Sequence, residues 1–386
     1  MKRILAGALA LMAAATVTAR AQSLDDLNIQ IHGYATQGFL YTTNNNIFTT
    51  SSSDGSPAWT EAVVNVSSQP EPKLRISVQA RYSLLGNFGN AITLDYAAAD
   101  YKVNDKFGVR FGKTKIPSGL FNEIQDIDPS YMWALLPQSV YPITSRNSFL
   151  AQYGGVVYGT FALPQKLGKL EYRAWSGEHS VNSDDGALLN LEEGGLGQPD
   201  GVKGIATGGA IHWKTPLQGL MIGASDIKSN TQVIPSTLNF GASSGTETVR
   251  PYNTPDYFAK YEKGKILLAY EYARNQLHGM IVVPLLTVPF RFDERQQYAM
   301  ASYKVTEKFS AGAYYSYYFN QHLQNVGTNF QKDYAISGRY DFSQYLYAKA
   351  EQHFINGEAL GFDINLNPGG LKPNTKLTIL KVGVSF

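Results

Sequence analysis

The feature that most constrains this 386-residue chain is strict two-residue periodicity, carried from end to end by segments whose connections alternate short and long. In "RISVQARYSLL", Ile76, Val78, Ala80, Tyr82 and Leu84 alternate with Arg75, Ser77, Gln79, Arg81 and Ser83. In "FSAGAYYSYYF", Phe309, Ala311, Ala313, Tyr315, Tyr317 and Phe319 alternate with Ser310, Gly312, Tyr314, Ser316 and Tyr318. The final segment sets Leu380, Val382, Val384 and Phe386 against Lys381, Gly383 and Ser385. Successive side chains of a strand point to opposite faces, so each segment describes a ribbon with one apolar and one polar side.

This reading places strands near 29–41, 59–67, 74–85, 90–102, 106–115, 152–162, 168–180, 204–215, 219–232, 255–263, 265–278, 293–305, 308–321, 332–342, 344–356 and 375–386. Every second link is a tight turn, such as "VNDK", "PQKLG", "EKGK" and "TEK". Most of the others are long: 42–58, 116–151, 181–203, 233–254, 279–292, 322–331 and 357–374. Short turns at one end and long loops at the other are the pattern of an antiparallel up-and-down transmembrane β-barrel. The expectation is an all-β barrel of about 16 strands in one domain.

The same alternation also suits a soluble barrel, and strand number decides between them. About 8 strands enclose a lumen that side chains fill, whereas about 16 leave an aqueous channel. The polar side then faces that channel and the apolar side faces lipid, where a midplane Arg or Lys costs about 2–4 kcal/mol.

Composition bears on compartment and chemistry. Lys2 and Arg3, the apolar run Ile4 to Val17, and Ala19-Arg20-Ala21 read as a cleaved secretory signal peptide over 1–21, leaving 22–386 as the barrel. Removing Lys2, Arg3 and Arg20 takes the formal charge from +2 to −1, which excludes a basic nucleic-acid-binding protein. The chain has no cysteine, hence no disulfide and no thiolate chemistry. No later stretch is apolar enough for a spanning helix. The last segment, ending in Phe386 after alternating apolar residues, resembles the C-terminal strand of bacterial outer-membrane barrels, and with the export signal it makes the outer membrane the expected location.

Two motif fragments have bland explanations. "GVRFGKT" (108–114) has three residues where a phosphate loop has four, and no helix follows it. "GASSG" (241–245) matches G-x-S-x-G, but it lies in a Ser/Thr/Gly-rich loop without the strand-to-helix turn that exposes a nucleophilic Ser243. The six histidines, His32, His179, His212, His278, His322 and His353, show no metal-ligand spacing. Asp126 and Asp128, like Asp184 and Asp185, read as loop acids. No enzymatic activity, cofactor or metal is expected.

The long excursion at 116–151 differs from the other loops. It carries Ile116, Leu120, Phe121, Ile124, Tyr131, Met132, Trp133, Leu135 and Leu136, and a loop this apolar packs against something. The natural place is the barrel interior. "GVRFGKTKIPSGLFNEIQDIDPSYMWALLPQSVYP" (108–142) resembles the segment of Gram-negative porins in which a strand ending G-K-x-K-x-P-x-G-L is followed by an inward-folded loop. It is similar to phosphate-selective and related substrate-selective porins, without the basic and tyrosine clusters of a dedicated phosphate channel. The resemblance implies a barrel of sixteen or eighteen strands, often trimeric, with that loop as the pore constriction.

Parity then selects charges for the constriction: Arg75, Arg81 and Arg110 on lumen faces, Lys113 and Lys115 where strand gives way to loop, Glu123, Asp126 and Asp128 in the loop, and Arg146 on its return. A basic wall facing an acidic loop would bias ion sign without binding tightly. The expected function is passive diffusion of small hydrophilic solutes or ions, with outer-membrane lipid as partner and a homotrimer as assembly. A receptor or adhesin barrel, or a barrel hydrolase, is the alternative.

Overall fold

The structure, a computed structural model, describes residues 27–181, 198–199, 202–230, 232–238, 243–283, 286–323 and 327–386. The signal-peptide reading and Asp184–Asp185 lie outside them. Sixteen strands of nine or more residues form the wall among the described residues. They are β1 (Gln30–Thr42), β2 (Ser56–Glu71), β3 (Leu74–Leu85), β4 (Phe88–Asn104), β5 (Phe107–Lys115), β6 (Ala151–Ala162), β7 (Lys169–Val181) and β8 (Val202–Lys214). There follow β9 (Leu220–Ser229), β10 (Tyr252–Lys263), β11 (Ile266–Val283), β12 (Leu286–Lys304), β13 (Phe309–Asn320), β14 (Phe330–Asp341), β15 (Leu346–Gly357) and β16 (Asn374–Ser385).

Each strand pairs antiparallel with its neighbours in sequence, and β1 pairs with β16 from Tyr34↔Ser385 to Thr42↔Leu377. The sheet therefore closes on itself into a barrel. The end of the chain joins the closure, with Gly33 and Phe386 exchanging backbone hydrogen bonds of 3.0 Å.

Burial is inverted relative to a soluble protein. On β14 the buried residues are Gln331, Asp333, Ala335 and Ser337, while Tyr334 and Ile336 are 57% and 60% exposed. Ile92 and Phe111 project outward just as openly, at 78% and 73%. Such a surface is stable against hydrocarbon and unstable against water. Near the short turns the outward face carries Phe107, Phe161, Tyr303, Phe309, Tyr340 and Phe342, all exposed. This is the aromatic girdle of a transmembrane barrel at the membrane–water boundary.

Two long links proved to be wall. Residues 233–254 contain a ladder from Gln232↔Val249 to Leu238↔Ser243, and its second strand continues onto β11 at Thr246↔Val282. Ser243 thus begins a paired strand instead of occupying a strand-to-helix elbow. The 279–292 link is likewise strand, paired up to Val283↔Leu286. The Ser, Thr and Gly composition concealed the first of these ladders, because hydroxylated β-branched residues suit both strands and polar loops, and Pro284 and Pro289 gave the second the look of a connection.

The 116–150 segment lies inside the barrel. Its apolar residues build one cluster with the wall, in which Phe121, Met132, Trp133, Leu136 and Tyr141 pack against Ala269, Tyr298, Met300, Tyr314 and Ala335. Ala134 and Leu135 join a second cluster with Leu40, Trp59, Leu377 and Ile379. The greasy composition of this loop is therefore core-forming: it packs against inward faces of the wall.

Candidate constriction

Four sets of polar contacts fix the loop. The first is at its base, where Glu271 of β11 accepts the Leu120 N–H at 2.9 Å and the Tyr141 hydroxyl at 2.7 Å, and also receives the Tyr298 hydroxyl. Gly119 passes this carboxylate at φ +64°, and a Cβ there would stand 2.5 Å from Glu271 Oε1. Only glycine combines that approach with that backbone.

The second set surrounds Asp126. It accepts the Lys115 ammonium at 2.6 Å and the Gln79 amide, and Arg146 Nη2 stands 3.5 Å away. Arg146 in turn clamps Asp95 of β4 with both terminal nitrogens, at 2.7 and 3.3 Å. Burial opposes the charge of the Arg146 guanidinium, but Asp95 and Asp126 more than offset it, and its pKa is raised above the ordinary arginine value.

The third set holds Asp128 between Lys381 of β16 at 2.6 Å, Lys349 of β15 at 3.0 Å and the Tyr347 hydroxyl at 2.7 Å. Burial pushes this carboxyl upward, but Lys349 and Lys381 prevail and hold it below the usual carboxylate range. Fourth, Glu351 accepts the Ala134 and Leu135 N–H groups at 3.0 Å each, and His353 bridges Glu351 and Asp333 at 2.9 and 2.8 Å.

The charges form two linked chains. One runs Arg81–Glu61–Lys381–Asp128–Lys349, three cations to two carboxylates. The other runs Lys115–Asp126–Arg146–Asp95, two of each. A separate half-exposed group joins Arg110 to Asp100 at 2.9 Å and to Glu123 at 3.5 Å, with Arg173 3.7 Å from Glu123.

The sequence expectation of a basic wall facing an acidic loop across a gap is corrected by this geometry. Arg81, Lys115, Asp126, Asp128 and Arg146 are brought together, but as buried contact pairs within the two chains. Arg110 and Glu123 meet apart from them. Arg75 is exposed near a short turn, donating to Ser67 Oγ at 3.2 Å. Lys113 does not face the lumen: it pairs with Ala97 and Tyr153 on the outward side, with its ammonium on the Leu94 carbonyl and 5.4 Å from the Tyr153 ring centre. Its position two residues before the end of β5 lets the long stem lie on the wall beside an aromatic ring.

Residues missed in the sequence are Glu61, Asp95, Lys349 and Lys381. Lys381 carried a signal, as a lone charge alternating with Leu380 and Val382. Asp95 carried none, because it sits at a β-bulge, between Gln79↔Tyr96 and Ala80↔Leu94, where simple alternation fails.

Two small cavities adjoin these chains. One of about 70 Å³ lies between β2–β4 and the returning loop, lined by Trp59, Arg81, Phe88, Ile143 and Arg146, and it reaches exposed Gly89 at the long-loop end. The second, about 30 Å³, is lined by Glu61, Tyr131 and Lys381. Trp59, Ile143 and Arg146 border both.

No family model matches the chain, and no curated protein matches it. Solved structures do. OmpT of Vibrio cholerae in its trimer form aligns with 93% of this chain and 99% of its own, at 12% identity and TM-score 0.57. Salmonella typhi OmpF in complex with daunomycin aligns over 94% and 99%, at 14% identity and TM-score 0.56. An anion-selective porin from Comamonas acidovorans aligns over 93% and 99%, at 10% identity and TM-score 0.54. The chain has the closed sixteen-stranded barrel fold of bacterial outer-membrane porins. At these identities the likeness is one of fold.

Proposed function

We propose that this chain is an outer-membrane porin, passing small hydrophilic solutes or ions by passive diffusion without enzymatic chemistry. Residues 116–151 narrow its pore. The observation that carries this reading is the inversion of polarity: Asp333, Glu351, Lys349 and Lys381 are buried inside the barrel, while Ile92, Phe111, Tyr334 and Ile336 are bare outside it. Charges in an enclosed lumen and apolar residues on a continuous outer wall are what a barrel surrounded by lipid requires. Export through a cleaved 1–21 segment and assembly as a homotrimer complete the proposal, the latter resting on the resemblance of 108–142 to porins.

Among the nine charges selected from sequence, Arg81, Lys115, Asp126, Asp128 and Arg146 hold the loop in place and set the field at the narrowing. Arg110 and Glu123 contribute on the β4–β7 side. Purified barrels added to a planar lipid bilayer should give discrete conductance steps. A correctly folded preparation that gives no steps at any voltage would overturn the proposal.

A further inference from the structure

We propose that the cavity bounded by Trp59, Arg81 and Arg146 is a binding site for a small monocarboxylate with a short apolar tail. The inference rests on the porin reading and names the solute class that the outer part of such a pore would favour.

Three observations converge on this cavity. The first is a set of orphaned donors. The indole Nε1 of Trp59 and the Nε of both Arg81 and Arg146 are buried, and none has an acceptor among the described residues. All three side chains are more than nine-tenths buried, and all three line the same cavity. Nearly all buried N–H groups in folded proteins are satisfied, so three donors left over around one cavity point to an acceptor that arrives from outside.

The second is charge. The two linked chains beside the cavity together hold five cations, Arg81, Lys115, Arg146, Lys349 and Lys381, against four carboxylates, Glu61, Asp95, Asp126 and Asp128. Within these two chains one positive charge is left over, and it belongs to the chain containing Arg81. A monovalent anion would balance it. Guanidinium groups suit carboxylate oxygens in particular, because their planar donors match carboxylate geometry.

The third is shape and lining. Besides the donors the lining includes Leu85, Phe88 and Ile143, which offer apolar contact, alongside the hydroxyls of Ser83, Thr93 and Thr144. A halide would leave the apolar surfaces unused, and a dicarboxylate would bury a second charge against them at a large desolvation cost. A carboxylate head with a few carbons behind it uses both kinds of lining. Gly89 at the exposed end gives the route in.

The test uses the folded full-length barrel in detergent, titrated with sodium butyrate and, at equal ionic strength, with sodium chloride. The expected result is saturable binding of butyrate detected by calorimetry, with no saturation by chloride. Trp59→Phe keeps the ring and removes the indole N–H, and should weaken butyrate binding about fivefold. Arg81→Lys keeps the charge and removes the planar donors, and should weaken it about tenfold or more. Ser337→Ala, on β14 and outside the cavity lining, should leave it unchanged. Absence of saturable butyrate binding by the folded wild type, or equal binding by both site variants, overturns the inference. Conductance without butyrate binding would sink this site and leave the porin reading standing; binding that follows the variants in a barrel without conductance would do the reverse.

Discussion

Lys381 and Asp128, 253 residues apart in sequence, meet at 2.6 Å inside the barrel, both almost wholly buried. The contact joins the last wall strand to the middle of the inserted loop. Its energetics differ from those of a surface pair, because Asp128 is also the carboxylate partner of buried Lys349, and losing it strands that charge in a region of low dielectric.

Asp128→Asn should therefore release the loop, at a local cost of about 3–5 kcal/mol, and Lys381→Met should do so less, since Asp128 keeps Lys349 at 3.0 Å. Single-channel recordings should show larger and noisier conductance for each variant. Unchanged conductance in both single variants would show that the contact does not hold the loop.

Asp128 also sets a pH dependence. Its carboxyl is held below the usual carboxylate range, so its contribution to loop anchoring is present above the unfolded value of about 3.9. That contribution is lost as pH falls through the lower folded value. Channel noise attributable to the loop should stay constant from neutrality down to about pH 4 and rise only below it. Recordings of Asp128→Asn should lack this transition. A transition at pH 6 in wild type, abolished by Asp128→Asn, would contradict the assignment.

Gly119→Ala tests the base of the loop. The φ of +64° alone disfavours a side chain by about 1–2 kcal/mol, and the new Cβ would meet Glu271 Oε1. The variant should unfold at lower temperature in detergent and expose the loop to protease, measured by heat-dependent gel migration and limited proteolysis. Wild-type behaviour in both assays would show that the Leu120–Glu271 contact is dispensable.

Arg81 and Arg75 should differ in their hold on ion sign, although they share a strand face. Arg81 is buried beside the loop and Arg75 is exposed near the turn. Screening over about 8 Å mutes a wide-vestibule charge more than one at a narrowing. In a salt gradient, Arg81→Gln should move the reversal potential toward cations more than Arg75→Gln does. The opposite order would move the narrowing toward the turn end.

The wall was legible in the sequence because its rule is local: one residue in, the next out, with a turn at the end. Lys381 alternating with Leu380 and Val382 is that rule applied to a charge. It failed where the backbone departs from it, as at the Asp95 bulge. It also failed where composition is ambiguous, as in the Gln232–Leu238 and Ser243–Val249 ladder that reads as a polar loop. The partners of the loop acids were illegible for a different reason. Which wall cation meets Asp126 or Asp128 depends on how the loop crosses the lumen, and that path is set by the packing of Phe121, Trp133 and Tyr141 on distant strands. Lys113 shows the cost of reading charge without parity: it shares the outward face with Phe111.

The most direct test of the account exploits the absence of cysteine from the chain. Single cysteines at 75, 76, 77 and 78, spin-labelled in barrels reconstituted into lipid, should report alternating environments along β3. Labels at 76 and 78 should collide with oxygen, which concentrates in hydrocarbon, and labels at 75 and 77 with a water-soluble nickel chelate. Uniform access to the nickel chelate at all four positions, or the reverse alternation, would contradict a wall with lipid outside and solvent within.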